Sequence, residues 1–244
     1  CLRARTYNGS GFLQRSLMLL KRSYAKEIID DLSITDERLD RALHELQVIN
    51  FFLGGNSVSQ AGLSAINRAC TFKNTPLILD IGSGGSDLFF KMKIKGRSVE
   101  PISADMNIRA CRYTKFLHPE AKVVCCDAQR LPFKVSTIDI IHASLFFHHF
   151  KEEDMASILR QCSLIARHGI IINDLRRSVF ALIGIKILTQ LFSKSRMVKN
   201  DGPLSVRRGF IKSELMAILS EIGQCRFHIR RKWAFRWLIY CIKE

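Results

Sequence analysis

Whatever this chain folds into must accommodate residues 77–87, LILDIGSGGSD, where an apolar, β-rich run reaches Asp80 and passes straight into a glycine-rich turn. Gly82, Gly84 and Gly85, with Ser83 among them, let the backbone approach a ligand without side-chain collision. A dinucleotide fingerprint needs a further glycine three positions beyond Gly84, and Asp87 stands there, so a pyrophosphate would lose its third contact. The pattern that fits is D-x-G-x-G, with Asp80 as the last residue of a strand. Turns of this composition serve either a bound ligand or a plain tight loop.

Two further acids speak for the ligand. Residues 99–105 (VEPISAD) read as a second strand ending in Asp105, 25 residues beyond Asp80, the span of one strand-helix-strand unit. Its carboxylate then stands beside the glycine turn, where it can accept both hydroxyls of a ribose. Residues 121–127 (AKVVCCD) form a third β-rich run ending in Asp127, and AQRLPF follows. Strands that each end in a carboxylate give one sheet edge an acidic rim.

The alternation continues downstream. Residues 138–150 (IDIIHASLFFHHF) read as a fourth strand with its exit loop, and residues 169–174 (GIIIND) as a fifth. Between them Met155, Ile158, Leu159, Cys162 and Ile165 recur at helical spacing, and Glu152, Glu153 and Asp154 occupy the first turn, where the helix dipole favours acids. Nearly continuous apolar strands interleaved with helices predict a mainly parallel sheet covered on both faces.

Residues 77–174 resemble the class I S-adenosylmethionine-dependent methyltransferases: LDIGSGGSD is similar to the family's first motif, Asp105 to its ribose-binding acid, and CDAQRLPF to the segment whose Asp meets the adenine amine. The resemblance implies S-adenosyl-L-methionine as cofactor, held by Asp80, Gly82, Ser83, Gly84, Asp105, Met106, Asp127, Ala128 and Ser144. In that reading the glycine turn faces the methionine end, and a helix starting near Asp87 offers its amino-terminal dipole to a carboxylate. Ser86 departs from the family pattern, which has a third glycine there. The implied fold is a Rossmann-like, doubly wound, mostly parallel seven-stranded α/β sheet, with residues 224–230 and 236–242 as an antiparallel C-terminal hairpin. A helical cap over residues 1–70 precedes a methyltransferase domain over 71–244, with a lid-like insertion at 175–221.

Both flanks bear on the acceptor. Residues 33–55 read as a helix begun by Ser33 or Thr35, with Asp36 and Glu37 in its first turn and an apolar stripe of Leu39, Leu43, Leu46 and Ile49. That stripe either roofs the acceptor pocket or packs on the sheet. The apolar run 178–192, bounded by Arg176, Arg177, Lys194 and Arg196, is shorter than the ~20 residues that span a bilayer. It suits a lid over an apolar pocket or an in-plane membrane contact. NDLRRS (173–178) and DGPLSVRRGF (201–210) resemble a bacterial branch found beside type III polyketide synthases and, more distantly, quinone-ring C-methyltransferases, which implies an aromatic or apolar small-molecule acceptor. The family's next helix opens with Thr, whereas Ile211 stands there before Glu214, which removes a capping hydroxyl.

Charge and cysteines narrow the setting. With 244 residues the chain can bury a large core. Of the net +16, residues 176–244 hold +11 (fifteen Lys and Arg against four acids), a field open to an anionic membrane surface, an acidic carrier, nucleic acid, or solvent alone. Against a nucleic-acid methylase, Ser144, Leu145 and Phe146 stand where the Asn/Asp-Pro-Pro-aromatic signature belongs. Eight scattered cysteines without C-x-x-C predict neither a disulfide framework nor a metal site, and point to a reduced, cytoplasmic setting. Residues 1–11 read as neither a signal peptide nor a folded element.

Methyl transfer needs alignment and, for a hydroxyl acceptor, a base. His148 and His149 follow the fourth strand on the rim where donor and acceptor meet, and imidazole suits a phenol. His148 matches the first position of the His-Asp-Trp segment that carries the base in plant phenolic O-methyltransferases; His149 departs from its second. Alternatively these histidines bond the loop or stack on adenine. His142, in mid-strand, belongs to the core. The reading is an O-methyltransferase of a phenolic or polyketide-derived acceptor, with C-methylation of a quinone ring, or an inactive binding member of the fold, as the alternatives.

Overall fold

A computed structural model describes residues 21–85, 92–94, 96–223 and 225–243; the helix expected near Asp87 and the Ser86 position lie outside them, as do residues 1–20. Five strands run parallel: β1 (Leu77–Ile81), β4 (Glu100–Asp105), β5 (Lys122–Cys125), β6 (Ile138–Ser144) and the start of the run through β7 (Ala166–Leu175). A small antiparallel ladder, β2 (Lys93–Ile94) with β3 (Arg97–Ser98), precedes β4. β8 (Arg226–Lys232) and β9 (Arg236–Ile242) form the expected antiparallel hairpin, and β9 inserts beside β7, giving the order β5-β4-β1-β6-β7-β9-β8. The outer strand β8 exposes Arg226, Arg230 and Arg231, charges that discourage edge-to-edge pairing.

The sheet is apolar on both faces because helices cover both. On one face α4 (Glu152–Ile165) and α7 (Lys212–Ser220) bury Met155, Leu159 and Leu215 against Leu79, Ile141 and Ile239. On the other, α2 (Gly55–Ala69) sets Val58, Leu63 and Ile66 on Ile78, Ile140 and Ile171. Each such side chain contributes about 1.5–3 kcal/mol relative to exposure. Gly62 fixes the helix-sheet distance: a Cβ there would lie 2.6 Å from Ile171 and 3.0 Å from Leu238.

A third cluster closes the carboxyl ends of the strands. Leu39, Ala42 and Leu43 of α1 (Glu37–Phe52) meet Ala110 of α3 (Ile108–Leu117) and Met197 and Val198 of α6 (Arg196–Arg208). The α1 stripe therefore packs against helices above the sheet. Its helix begins later than the sequence suggests. Asp36, not Ser33 or Thr35, caps it by accepting from the Arg38 N–H at 2.9 Å, because Ser33 and Ile34 are already folded into a turn on Asp31. α5 (Val179–Phe192) covers the apolar run; Ser178 stands at its N-cap position without a side-chain capping bond.

Strand ends shift by a residue or two. β1 runs one residue past Asp80, and β5 stops at Cys125, leaving Asp127 to cap a short 3-10 turn, Ala128–Arg130, through the Gln129 N–H at 2.8 Å. α7 lacks a hydroxyl cap at Ile211, yet Glu214 accepts the Ile211 N–H at 2.9 Å, so half of the reciprocal cap survives.

Candidate active site

Where β1 lies between β4 and β6, the crossovers leave in opposite directions and open a crevice at the strand carboxyl ends. A cavity of about 700 Å³ occupies it, walled by the glycine turn, Asp105, Asp127, α1 and α5, and by residues 144–150. Asp80, Gly82, Ser83, Gly84, Asp105, Met106, Asp127, Ala128, Ser144, His148 and His149 all border it.

The turn shows why glycine is required. Gly82, Gly84 and Gly85 have φ of 64°, 58° and 85°, where side chains are disfavoured. A Cβ on Gly82 would fall 2.0 Å from the Phe146 ring, whereas one on Gly84 would meet Leu43 at 3.5 Å and the Gly82 carbonyl at 4.0 Å, ordinary contact distances among the described residues. Asp105 organises this turn by accepting the Gly84 N–H and the Asn107 N–H, each at 2.8 Å; burial nonetheless raises its pKa, outweighing those bonds. Asp80 is buried against His142, whose Nδ1 lies 2.8 Å from Oδ1 while its Nε2 reaches Ser59 at 2.8 Å. Burial raises Asp80 too. His142 thus belongs to the core as expected, and holds the acid that precedes the glycine turn.

Leu145 has φ 53°, a left-handed conformation costly for a side-chain-bearing residue, and it redirects the chain from β6 into the short turn Phe147–His149. Its N–H bonds the Asn173 carbonyl at 2.8 Å. Strand alternation sends Asn173 and Asp174 to opposite sides. Asn173 donates to Gly55, Ser59 and Ser144, and Asp174 receives both the backbone N–H (3.2 Å) and Nδ1 (2.7 Å) of His148. Burial alone would raise Asp174, but the imidazole overcomes it and holds this carboxyl below its usual range.

The cavity's far wall comes from residues 27–30, inside the expected cap region but without a site residue named from the sequence. Glu27 and Asp30 reach the histidines from the amino-terminal side: Asp30 Oδ1 lies 2.6 Å from His149 Nδ1, and Glu27 Oε1 lies 3.6 Å from His148 Nε2. The histidine rings are 4.3 Å apart. Asp201 fixes that segment by accepting the Ile28 and Ile29 N–H groups at 2.9 and 3.0 Å. Arg208 donates to the His148 and His149 carbonyls, to the Ala25 carbonyl and to Asp30, all within 3.0 Å. Burial opposes ionisation of Asp30, yet the His149 and Arg208 contacts prevail and lower its pKa. At Glu27 burial wins and pushes the carboxyl up to about 7, against the pull of His149 and Arg208. The signal that could have found these acids was Glu27 and Asp30 spaced by three, together with Asp174 directly after a core asparagine.

The sign of the Glu27 shift makes a stability prediction. Folded protein keeps this proton to about pH 7, while an unfolded chain releases it near 4.5, so stability falls as pH rises through that window. Glu27→Gln removes the titration and should flatten the decline by at most roughly 3 kcal/mol. Chemical denaturation at pH 4.5 and 7.5 checks it; parallel declines in both proteins contradict it.

Against known proteins, residues 78–169 match the family model described as a methyltransferase domain. A stretch of 69 residues is 39% identical to the biotin biosynthesis bifunctional protein BioHC of Cellvibrio japonicus, covering 28% of this chain but only 13% of that much longer protein. Among solved structures, the plantazolicin methyltransferase BpumL in complex with SAH superposes with a TM-score of 0.67 at 17% identity, over 97% of this chain and 100% of that one. Magnesium protoporphyrin IX methyltransferase (ChlM) from Synechocystis PCC 6803, with bound SAH, gives 0.54 at 12% identity over 97% and 96%. The acidic rim, the glycine turn and the sheet order meet in one crevice, and residues 78–169 carry a methyltransferase domain within a fold similar to that of these SAH-bound methyltransferases.

Proposed function

We propose that the protein transfers a methyl group from S-adenosylmethionine to a hydroxylated, apolar small molecule, oxygen being the favoured acceptor atom. One observation carries this: the cavity that contains the acidic rim and the glycine turn also contains His148, held by Asp174 through Nδ1, with its Nε2 3.6 Å from Glu27 Oε1, beyond hydrogen-bond distance. When bound, the cofactor supplies an electrophilic sulfonium methyl. The residues fit it. Asp105 keeps lone pairs for ribose hydroxyls beyond its two backbone bonds, Asp127 stands beside Ala128 and Met106 for the adenine, and Gly84, without a side chain on the cavity wall, leaves room for the methionine end.

Residues 1–70, described from Lys21, act in this reading as a cap and 175–221 as a lid. Ala181, Gly184, Ile185 and Leu188 turn one face of α5 toward the cavity, joined by Leu46 and Ile49 of α1, so the acceptor's surroundings are apolar. His148 then takes the acceptor proton, and Asp174 fixes which ring nitrogen faces the substrate. C-methylation of an electron-rich ring uses the same cavity and needs the base less.

Titration calorimetry with S-adenosylmethionine, followed by a methyl-transfer screen over phenols and quinols, tests the proposal. Asp105→Ala should weaken cofactor binding by about 1.5–3 kcal/mol, the worth of a hydrogen bond to a charged group. His148→Ala should slow transfer to a phenol by roughly 10²–10⁴ with cofactor affinity kept, and the deficit should shrink at high pH, where the phenol ionises unaided. Tight cofactor binding with no transfer to any acceptor would favour a binding protein; full activity of His148→Ala would make that histidine structural.

A second reading concerns location. The outer face of α5 exposes Phe180, Ile183, Ile187, Leu191 and Phe192, with Lys186 and Lys194 beside them, which supports in-plane contact with an anionic membrane; no described helix is long and apolar enough to cross one. Flotation with anionic vesicles should recover the protein at low salt and lose it in Phe180→Asp/Leu191→Asp. Recovery unaffected by those changes, or none at all, ends this reading. An acidic carrier docking on the same basic flank would be displaced by salt without vesicles.

A further inference from the structure

We infer that Glu27, His148 and His149 form a binding site for one divalent transition-metal ion. Each offers a ligand atom, and these atoms lie within 4.8 Å of one another. The donor set is two imidazoles and one carboxylate, the composition used for zinc and for ferrous iron, with coordination positions left open on the cavity side. It rests on the methyl transfer proposed above but gives His148 the role of ligand in place of general base, both histidines standing at the acceptor end of the cavity.

Three observations distinguish this cluster from an ordinary buried ion-pair group. First, Glu27 Oε1 is buried and has no hydrogen-bond partner, an uncommon and costly state for a carboxylate oxygen. Second, its 3.6 Å separation from His148 Nε2 is too long for a hydrogen bond, but metal bonds of about 2.0–2.2 Å place two tetrahedral ligand atoms roughly 3.3–3.6 Å apart. Third, each histidine is already oriented from behind: Asp174 takes His148 Nδ1 at 2.7 Å and Asp30 takes His149 Nδ1 at 2.6 Å. A carboxylate on the far nitrogen fixes the tautomer, turns Nε2 forward and raises ligand basicity, as it does for most metal-bound histidines.

Charge agrees with geometry. Glu27, Asp30 and Asp174 approach the two rings, with Arg208 packed beside Asp30 and Glu27; Arg236 acts on Asp174, and Arg22 lies close by but pairs with Glu152 at 3.0 Å. Arg208 spends its donors on Asp30 and three backbone carbonyls, and its Nε is 3.7 Å from Glu27 Oε1, so it leaves that oxygen unsatisfied. A divalent ion would supply the missing partner. An acceptor hydroxyl coordinated to it would ionise more readily and release its proton to water, with the imidazole then holding the ion instead of taking the proton.

The test is direct binding to full-length protein freed of metal by chelator. Co²⁺ serves as the spectroscopic probe and Zn²⁺ as the calorimetric one, without cofactor or acceptor. The expected result is one ion per chain with a visible Co²⁺ spectrum, weakened ~10-fold or more in Glu27→Gln and in His149→Ala, and about 10–100-fold in Asp30→Asn, which removes only the carboxylate behind the ligand. His149 and Asp30 are partly exposed, so these variants keep the test interpretable if Glu27→Gln folds poorly. Absence of a Co²⁺ spectrum, or binding of equal strength in all three variants, overturns the site. Methyl transfer is measured separately: transfer by protein that binds no ion refutes this inference and leaves the function standing, whereas ion binding without transfer to any acceptor does the reverse.

Discussion

Burying Arg208 is the constraint from which the rest of the site follows. A guanidinium taken out of water must have its donors matched, and here they are matched by the carbonyls of Ala25, His148 and His149 and by the Asp30 carboxylate. Those partners come from the amino-terminal segment and from the turn after β6, parts of the chain more than a hundred residues apart. One side chain on α6 therefore ties the amino-terminal segment and the histidine turn together. Arg22 strengthens the joint by reaching the carbonyls of His148, Phe150 and Arg208, with its guanidinium 4.2 Å from the Phe210 ring. The cavity can be apolar and still hold two oriented imidazoles because Asp174 and Asp30 bond their Nδ1 atoms from behind.

The sheet was legible in the sequence because it rests on local rules. Apolar runs that end in Asp80, Asp105 and Asp127 announce parallel strands with a common acidic edge, and the glycines between 82 and 85 announce a left-handed turn; the structure has both. The apolar pattern of α4 with its acidic first turn was equally plain. Helix starts were harder. Asp36 outcompeted Ser33 and Thr35 because a turn on Asp31 consumed the residues before it, and composition does not display that rivalry.

The site was legible only in part, since its remaining members depend on long-range placement. His148 could be picked from its position after β6, but nothing local says that Asp174 will take its Nδ1 or that Glu27 will face its Nε2. The basic carboxyl-terminal region illustrates the same limit. It reads as a uniform positive field, yet Arg177, Arg208 and Arg236 are buried structural groups, and Arg236 bonds Asn50, Asn173 and the Leu53 carbonyl while burial lowers its pKa to about 10. What faces solvent is a smaller charge, carried by β8, by Lys194 and Arg196 after α5, and by Lys186, Arg207 and Lys212.

In the proposed arrangement one crevice orders cofactor and acceptor, with the methyl-bearing end directed at the histidine pair. A crystal structure of the protein with S-adenosylhomocysteine measures this most directly. The expected result is the ribose on Asp105, the adenine near Asp127, and the sulfur on the side of the cavity where His148 and His149 stand, with α5 and α1 enclosing the remaining space. A product bound elsewhere, or one whose sulfur points away from both histidines, would contradict it.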